Sequence, residues 1–151
     1  MHICLVTDDT LLFGTNKSVM DAVIKDLKKT GLVLTVEGSI KDFLGTNMEE
    51  HDSKVYLTQP LLTSLILSKL CKLQEPEATS QIPMLEILDS GNSDTDFDKH
   101  FNYKSIIGML LYLEKGTRPD LAYSVHQCAR YSSNPKRKHA KALKKIEKYL
   151  M

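Results

Sequence analysis

The sequence predicts an α+β chain: antiparallel hairpins with helices, followed by a small all-α bundle. Three observations carry this reading. Two short runs rich in β-branched, leucine and aromatic residues, His2–Thr7 and Thr10–Gly14, flank an acidic pair where a hairpin would turn. From Tyr103 onward three stretches show apolar residues at helical spacing, two of them opened by proline. Between these halves lies an acidic stretch without clear periodicity.

Taken in order, the first hairpin is followed by Asn16-Lys17-Ser18, which opens a helix with Val19, Met20, Val23, Ile24 and Leu27 along one face. Gly31, just past Lys28-Lys29-Thr30, suits the position after a helix end. Leu32–Val36 reads as a strand. A second hairpin is expected from Lys41–Glu49, a polar turn at Glu50–Ser53, and Lys54–Thr58. Pro60 falls in the first turn of a helix carrying Leu61, Leu62, Leu65, Ile66 and Leu70. The next segment, about 30 residues with Pro76, Pro83 and Gly91, is too long for an ordinary connection and reads as a tether. Helices then follow over Lys104–Glu114, from Pro119 through Ala129, and from Pro135 through Leu150. Three short amphipathic helices suffice for a compact bundle.

Composition narrows the function classes. The chain has 151 residues, 42% hydrophobic and 26% charged, enough for one domain or two small subdomains. Its net charge is only +1, but the charge is unevenly placed. From Leu73 to His100, Glu75, Glu77, Glu86, Asp89, Asp94, Asp96 and Asp98 face Lys99 alone, a balance of −6. From Pro135 to Met151, Lys136, Arg137, Lys138, Lys141, Lys144, Lys145 and Lys148 face Glu147 alone, a balance of +6. Such a basic end attracts phosphates, or it is simply a solvated helix face. Cys4, Cys71 and Cys128 are far apart and odd in number, so they support neither a zinc site nor a disulfide framework. Buried free thiols in a reducing compartment are expected, and no apolar run approaches membrane-spanning length, so an intracellular location is expected, cytoplasmic or nuclear.

Asp8 and Asp9 are the candidate chemistry of the N-terminal half. Two carboxylates on a tight turn can hold a divalent cation through hard oxygen ligands. Turns also favour aspartate because its side chain bonds nearby backbone, and taken alone the pair reads as a plain turn. His2 with Cys4, and His126 with Cys128, read as ordinary packing, since neither pair comes with a full ligand set.

Several segments, in order, resemble the second half of a Ty1/copia-type retrotransposon reverse transcriptase. Val6-Thr7-Asp8-Asp9 is similar to the family's Tyr-Val-Asp-Asp turn, and Lys41-Asp42-Phe43-Leu44-Gly45 to its F-L-G segment, which precedes the primer-gripping hairpin. Tyr103–Leu113 (YKSIIGMLLYL) followed by Thr117-Arg118-Pro119-Asp120 is the most specific block. Ala129–Pro135, His139–Leu143 and Tyr149-Leu150 complete the series.

The resemblance implies a partial reverse-transcriptase palm over 1–71, with the Asp-Asp turn and primer-grip-like hairpin, an acidic tether over 72–101, and a thumb-like helical subdomain over 102–151. It implies that Asp8 and Asp9 are catalytic metal ligands, that the cofactor is Mg2+, and that the reaction is RNA-directed DNA polymerisation, a nucleotidyl transfer within a Pol polyprotein. The partners it implies are an RNA or DNA template–primer duplex and, in the complete enzyme, deoxynucleotide triphosphates. Phe43, Leu44 and Gly45 would touch the primer side, and Lys138, Lys141, Lys145 and Lys148, which share one helix face, would contact phosphates. Arg137 and Lys144 fall at the margin of that face. Val6 stands where the family has tyrosine and Thr7 where it has an apolar residue. The upstream palm aspartate and the fingers are not among these residues, so the chain is expected to be an inactive fragment by itself. An exposed apolar strand edge is expected to promote self-association. The rival expectations are a non-catalytic nucleic-acid-binding module and a transposon remnant without function.

Overall fold

The computed structural model describes residues 1–6, 9–36, 42–73, 87–90 and 101–151. These fall into two compact units, Met1–Tyr56 and Leu57–Met151.

In the first unit β1 (His2–Val6) pairs antiparallel with β2 (Asp9–Phe13), in register from His2↔Phe13 to Val6↔Asp9. This is the expected first hairpin, and the rings of His2 and Phe13 stack with centroids 5.2 Å apart. The α1 helix (Lys17–Lys29) starts where Asn16 Oδ1 accepts the N–H groups of Ser18 at 3.0 Å and Val19 at 3.4 Å. Those are two of the donors that a helix start leaves without an internal partner. Gly31 follows at φ +89°, the left-handed conformation that glycine adopts after a helix end.

Leu32–Val36, expected as a strand, is irregular, and Val33 is 99% exposed. A strand exists only through its ladder, and among the described residues none pairs with this run. The second expected hairpin is cut differently. The run expected as one strand over Lys41–Glu49 is divided into β3 (Asp42–Phe43) and β4 (Thr46–His51), paired through Phe43↔Thr46. Leu44 at φ +54° and Gly45 at φ +71° form the turn between them. Two successive positive φ values are what a tight hairpin turn matched to strand twist requires. A second such turn, Asp52 at φ +50° and Ser53 at φ +60°, leads into β5 (Lys54–Thr58), and the sheet order is β3-β4-β5. None of the described residues of this unit is buried, α1 included.

The second unit is helical: α2 (Pro60–Leu70), α3 (Tyr103–Gly116), a 3-10 turn (Pro119–Leu121), α4 (Ala122–Ala129) and α5 (Arg137–Leu150). Asn102 caps α3 by accepting Ser105 N–H at 3.0 Å. The α2 helix packs against α3 and α5, and α4 packs against the same two. Ile66, Leu70, Leu110, Leu113, Leu121, Val125, Leu143 and Ile146 are fully buried in one cluster.

Two differences from the expected layout follow from that core. The boundary expected after residue 71 lies at 56/57, because Ile66 and Leu70 give α2 an apolar stripe that is buried with the C-terminal helices. Lys144 reinforces the grouping by donating from Nζ to the Leu70 carbonyl at 3.1 Å. The segment expected as a tether is anchored too, since both Leu73 and Leu88 belong to the core. Most of the acidic run, 74–86 and 91–100, lies outside the described residues.

Candidate nucleic-acid interface

The acidic pair is only half visible. Asp8 lies outside the described residues, and Asp9 opens β2 opposite Val6 with its side chain exposed. Among the described residues no three His, Cys, Asp or Glu side chains come together as a metal-binding group. Magnesium is usually held by one or two carboxylates together with phosphates and water, and of the implied pair only Asp9 lies among the described residues. Phe43 is half-buried, while Leu44 and Gly45 are exposed on their tight turn. The Asp42 carboxylate secures that turn by accepting Gly45 N–H at 3.1 Å. Leu44, a γ-branched residue at positive φ, sits in a conformation that side chains other than glycine and asparagine rarely adopt.

The basic face is built on α5. The core-facing side of this helix carries Ala142, Ile146, His139, Leu143, Glu147 and Ala140, all buried. Lys138, Lys141, Lys145 and Lys148 lie on the other side, Lys141 exposed and the other three half-buried. The spacing read from the sequence therefore brings these four to one side of the helix. Lys144, placed at the margin of the basic face, is instead buried: its Nζ pairs with Glu147 at 2.7 Å besides donating to Leu70. Two charges this far from water persist because each satisfies the other. Lys144 thus holds α5 to α2.

The face is not bare at its N-terminal end. Residues 87–90 lie across α4 and α5. Leu88 is buried, its carbonyl accepts the Tyr131 hydroxyl at 2.7 Å, and its N–H reaches Gln127 Oε1 at 3.4 Å. The Asp89 carbonyl sits 2.9 Å from His139 Nε2, and Lys136 N–H donates to His139 Nδ1 at 2.8 Å. The fully buried His139 ring therefore fits one tautomer, Nε2 donating and Nδ1 accepting. The same ring stacks on Tyr131 at 4.3 Å. The Asp89 carboxylate forms an ion pair with Lys138. Sequence reasoning placed Leu88 and Asp89 in a free tether; the one available signal was the apolar Ile87-Leu88 pair inside an acidic run.

The T-R-P-D block forms a further polar cluster. Arg118 grips Asp120 through three contacts, Nε to Oδ1 at 3.0 Å and to Oδ2 at 3.3 Å, and Nη2 to Oδ2 at 2.9 Å. The hydrogen bonds from Arg118 hold the Asp120 carboxyl below its usual range, and those to Asp120 raise Arg118 further. The Arg118 guanidinium also lies 5.2 Å from the Tyr149 ring centroid, and this ties α5 to the 3-10 turn. Thr117 Oγ1 donates to the buried Gln59 at 3.1 Å. Deeper in the core, burial pushes the Cys128 thiol up to about 12. Burial, and then the neighbouring Cys128, raise Tyr103 well above the ordinary phenol range, and its hydroxyl donates to the Cys128 carbonyl at 3.2 Å. Cys128 is thus a packing residue. Its neighbour His126 is exposed and faces the buried Glu114, Nε2 lying 3.4 Å from Oε1 and 3.3 Å from Oε2.

Several relatives of this chain are transposon proteins. It is 30% identical, over 99% of its length, to the retrovirus-related Pol polyprotein from transposon RE2 of Arabidopsis thaliana, and 28% identical over 98% to that from transposon TNT 1-94 of Nicotiana tabacum. It is also 27% identical over 99% of its length to an uncharacterized mitochondrial protein of Arabidopsis thaliana. The chain spans 10% and 12% of those two polyproteins and 61% of the mitochondrial protein. No family model and no solved structure matches it. The relatives are Ty1/copia-type retrotransposon Pol polyproteins and kindred transposon proteins, as the ordered sequence blocks indicate.

Proposed function

We propose that this chain, transposon-derived by its kinship with Pol polyproteins, is the duplex-holding part of a reverse transcriptase and has no polymerase activity of its own. The observation that carries the reading is the α5 face. Lys138, Lys141, Lys145 and Lys148 line one side of a helix whose other side is locked into a core. A rigid row of cations suits the sugar–phosphate backbone, which is held by charge and without regard to sequence. Kinship to Pol polyproteins along 98–99% of the chain supports reading that duplex as a template–primer.

In this reading the first unit is palm-like and the helices thumb-like. Phe43, Leu44 and Gly45 present a stiff turn toward the primer. Asp8 and Asp9 belong to a metal site whose remaining ligands come from elsewhere in a longer polypeptide. A magnesium ion held there would activate the primer hydroxyl and neutralise charge on the phosphates. What these residues do themselves is narrower: they bind and orient the duplex.

The test is duplex binding across a salt series, beside primer extension with Asp8→Ala as control. Affinity should fall steeply with salt, and Lys141→Glu with Lys145→Glu should reduce both the affinity and the salt slope. Extension should be absent. Binding indifferent to salt and to these lysines would remove the interface, and Asp8-dependent extension would mean that the chain is a polymerase after all. The rival reading, a remnant without function, predicts no binding even at low salt.

A further inference from the structure

Leu88 and Asp89 are held in place by a set of contacts that a solvated tether would not make. Leu88 is buried among core residues, and its carbonyl takes the Tyr131 hydroxyl at 2.7 Å. The Asp89 carbonyl meets His139 at 2.9 Å, and the Asp89 carboxylate pairs with Lys138. The Asp89 side chain is nevertheless 81% exposed, so the burial of Leu88 and the backbone contacts fix the strap while the carboxylate is left at the surface. That carboxylate sits on the first of the four lysines on the α5 face. Glu86 precedes the strap, and Asp94, Asp96 and Asp98 follow it in sequence.

We propose that residues 87–90 form an autoinhibitory strap, which sets an acidic segment of the chain in competition with nucleic-acid phosphate for the N-terminal end of the basic face. This rests on the duplex-binding reading and adds its regulation. A phosphate and the Asp89 carboxylate are both anions seeking Lys138, and their mutual repulsion sets them in competition for it. Because the strap is part of the same chain, its local concentration does not fall on dilution, as that of a free competitor would. Duplex engages the whole face only when the strap gives way, and salt screens the exposed ion pair of the strap as it screens the phosphate contacts.

Two full-length variants test this by different routes. Asp89→Asn removes the competing charge and keeps the strap's shape. Tyr131→Phe removes the hydroxyl that holds the Leu88 carbonyl, while leaving every charge and the ring against His139 in place. Titrated into a short fluorescein-labelled DNA duplex at low salt, with folding checked by circular dichroism, each should bind about threefold tighter than the wild type. The gain should shrink as salt rises. Wild-type affinity in either variant overturns the strap and leaves the duplex-binding reading standing. If the wild type and both variants fail to bind the duplex, the strap and the reading fall together.

Discussion

Leu5 and Leu110 are the same side chain in opposite circumstances. Leu5, in β1, is 70% exposed, and Leu110, in the middle of α3, is fully buried. The contrast extends across the two units. The helical unit closes a core around α2, α3, α4 and α5, whereas the strand unit leaves Ile3, Leu5, Phe13, Val33 and Val55 at the surface. Both halves are rich in apolar residues, so composition does not separate them. What does is whether the apolar stripes have something to face. Among the described residues, the half that carries the acidic motif has hairpins without a core, and the half that carries the basic face closes a core of its own.

The largest break in that contrast should come from a matched pair of truncations. Leu110→Ala should destabilise the helical unit by about 4 kcal/mol, while Leu5→Ala should stay within about 0.5 kcal/mol, both read from urea midpoints. Comparable losses at the two sites would mean that β1 packs more tightly than its exposure indicates. Within α5 the contrast repeats between lysines. Lys144→Gln leaves Glu147 buried without its partner and should cost about 3 kcal/mol. Lys141→Gln should leave stability unchanged and weaken duplex binding instead.

Thiol chemistry gives a sharper divide with a smaller energy. Cys4 and Cys71 are exposed and should react promptly with a thiol reagent, whereas Cys128 should react only on unfolding. The Cys128 pKa is raised in the folded state, so the stability it contributes is complete below the thiol's unfolded value and is lost as pH climbs toward about 12. A denaturation series above pH 9 should show the helical unit weakening in that direction. The smallest effect is expected at the Arg118–Asp120 pair. The Asp120 pKa is lowered, so its contribution is present above the unfolded carboxylate value and disappears as pH falls below it. Both side chains are about a third exposed, so Asp120→Asn should cost less than about 1 kcal/mol.

Much of this was legible in the sequence because local signals and tertiary contacts agree. Asn16 caps a helix as a short polar residue does, and the β1–β2 pairing follows from two apolar runs joined by a polar turn. The lysine stripe of α5 follows from spacing alone. What could not be read depends on partners distant in sequence. Leu32–Val36 has strand composition but no strand beside it among the described residues. Leu44 is a poor turn former by type, and its turn is held by Asp42 reaching Gly45. Lys144 looks like its neighbours on paper, and only its nearness to Leu70 and Glu147 makes it internal. Leu88 is anchored by Tyr131, 43 residues away. As for the acidic pair, its family resemblance could be read, but Asp8 lies outside the described residues.

The most direct test is hydrogen exchange of the full chain, followed residue by residue with and without a DNA duplex. The expected result is strong protection across α3, α4 and α5, weak protection across β1, β2 and α1, and a further slowing along α5 when duplex is added. Equal protection in both units, or slowing by duplex confined to the strands, would contradict the account.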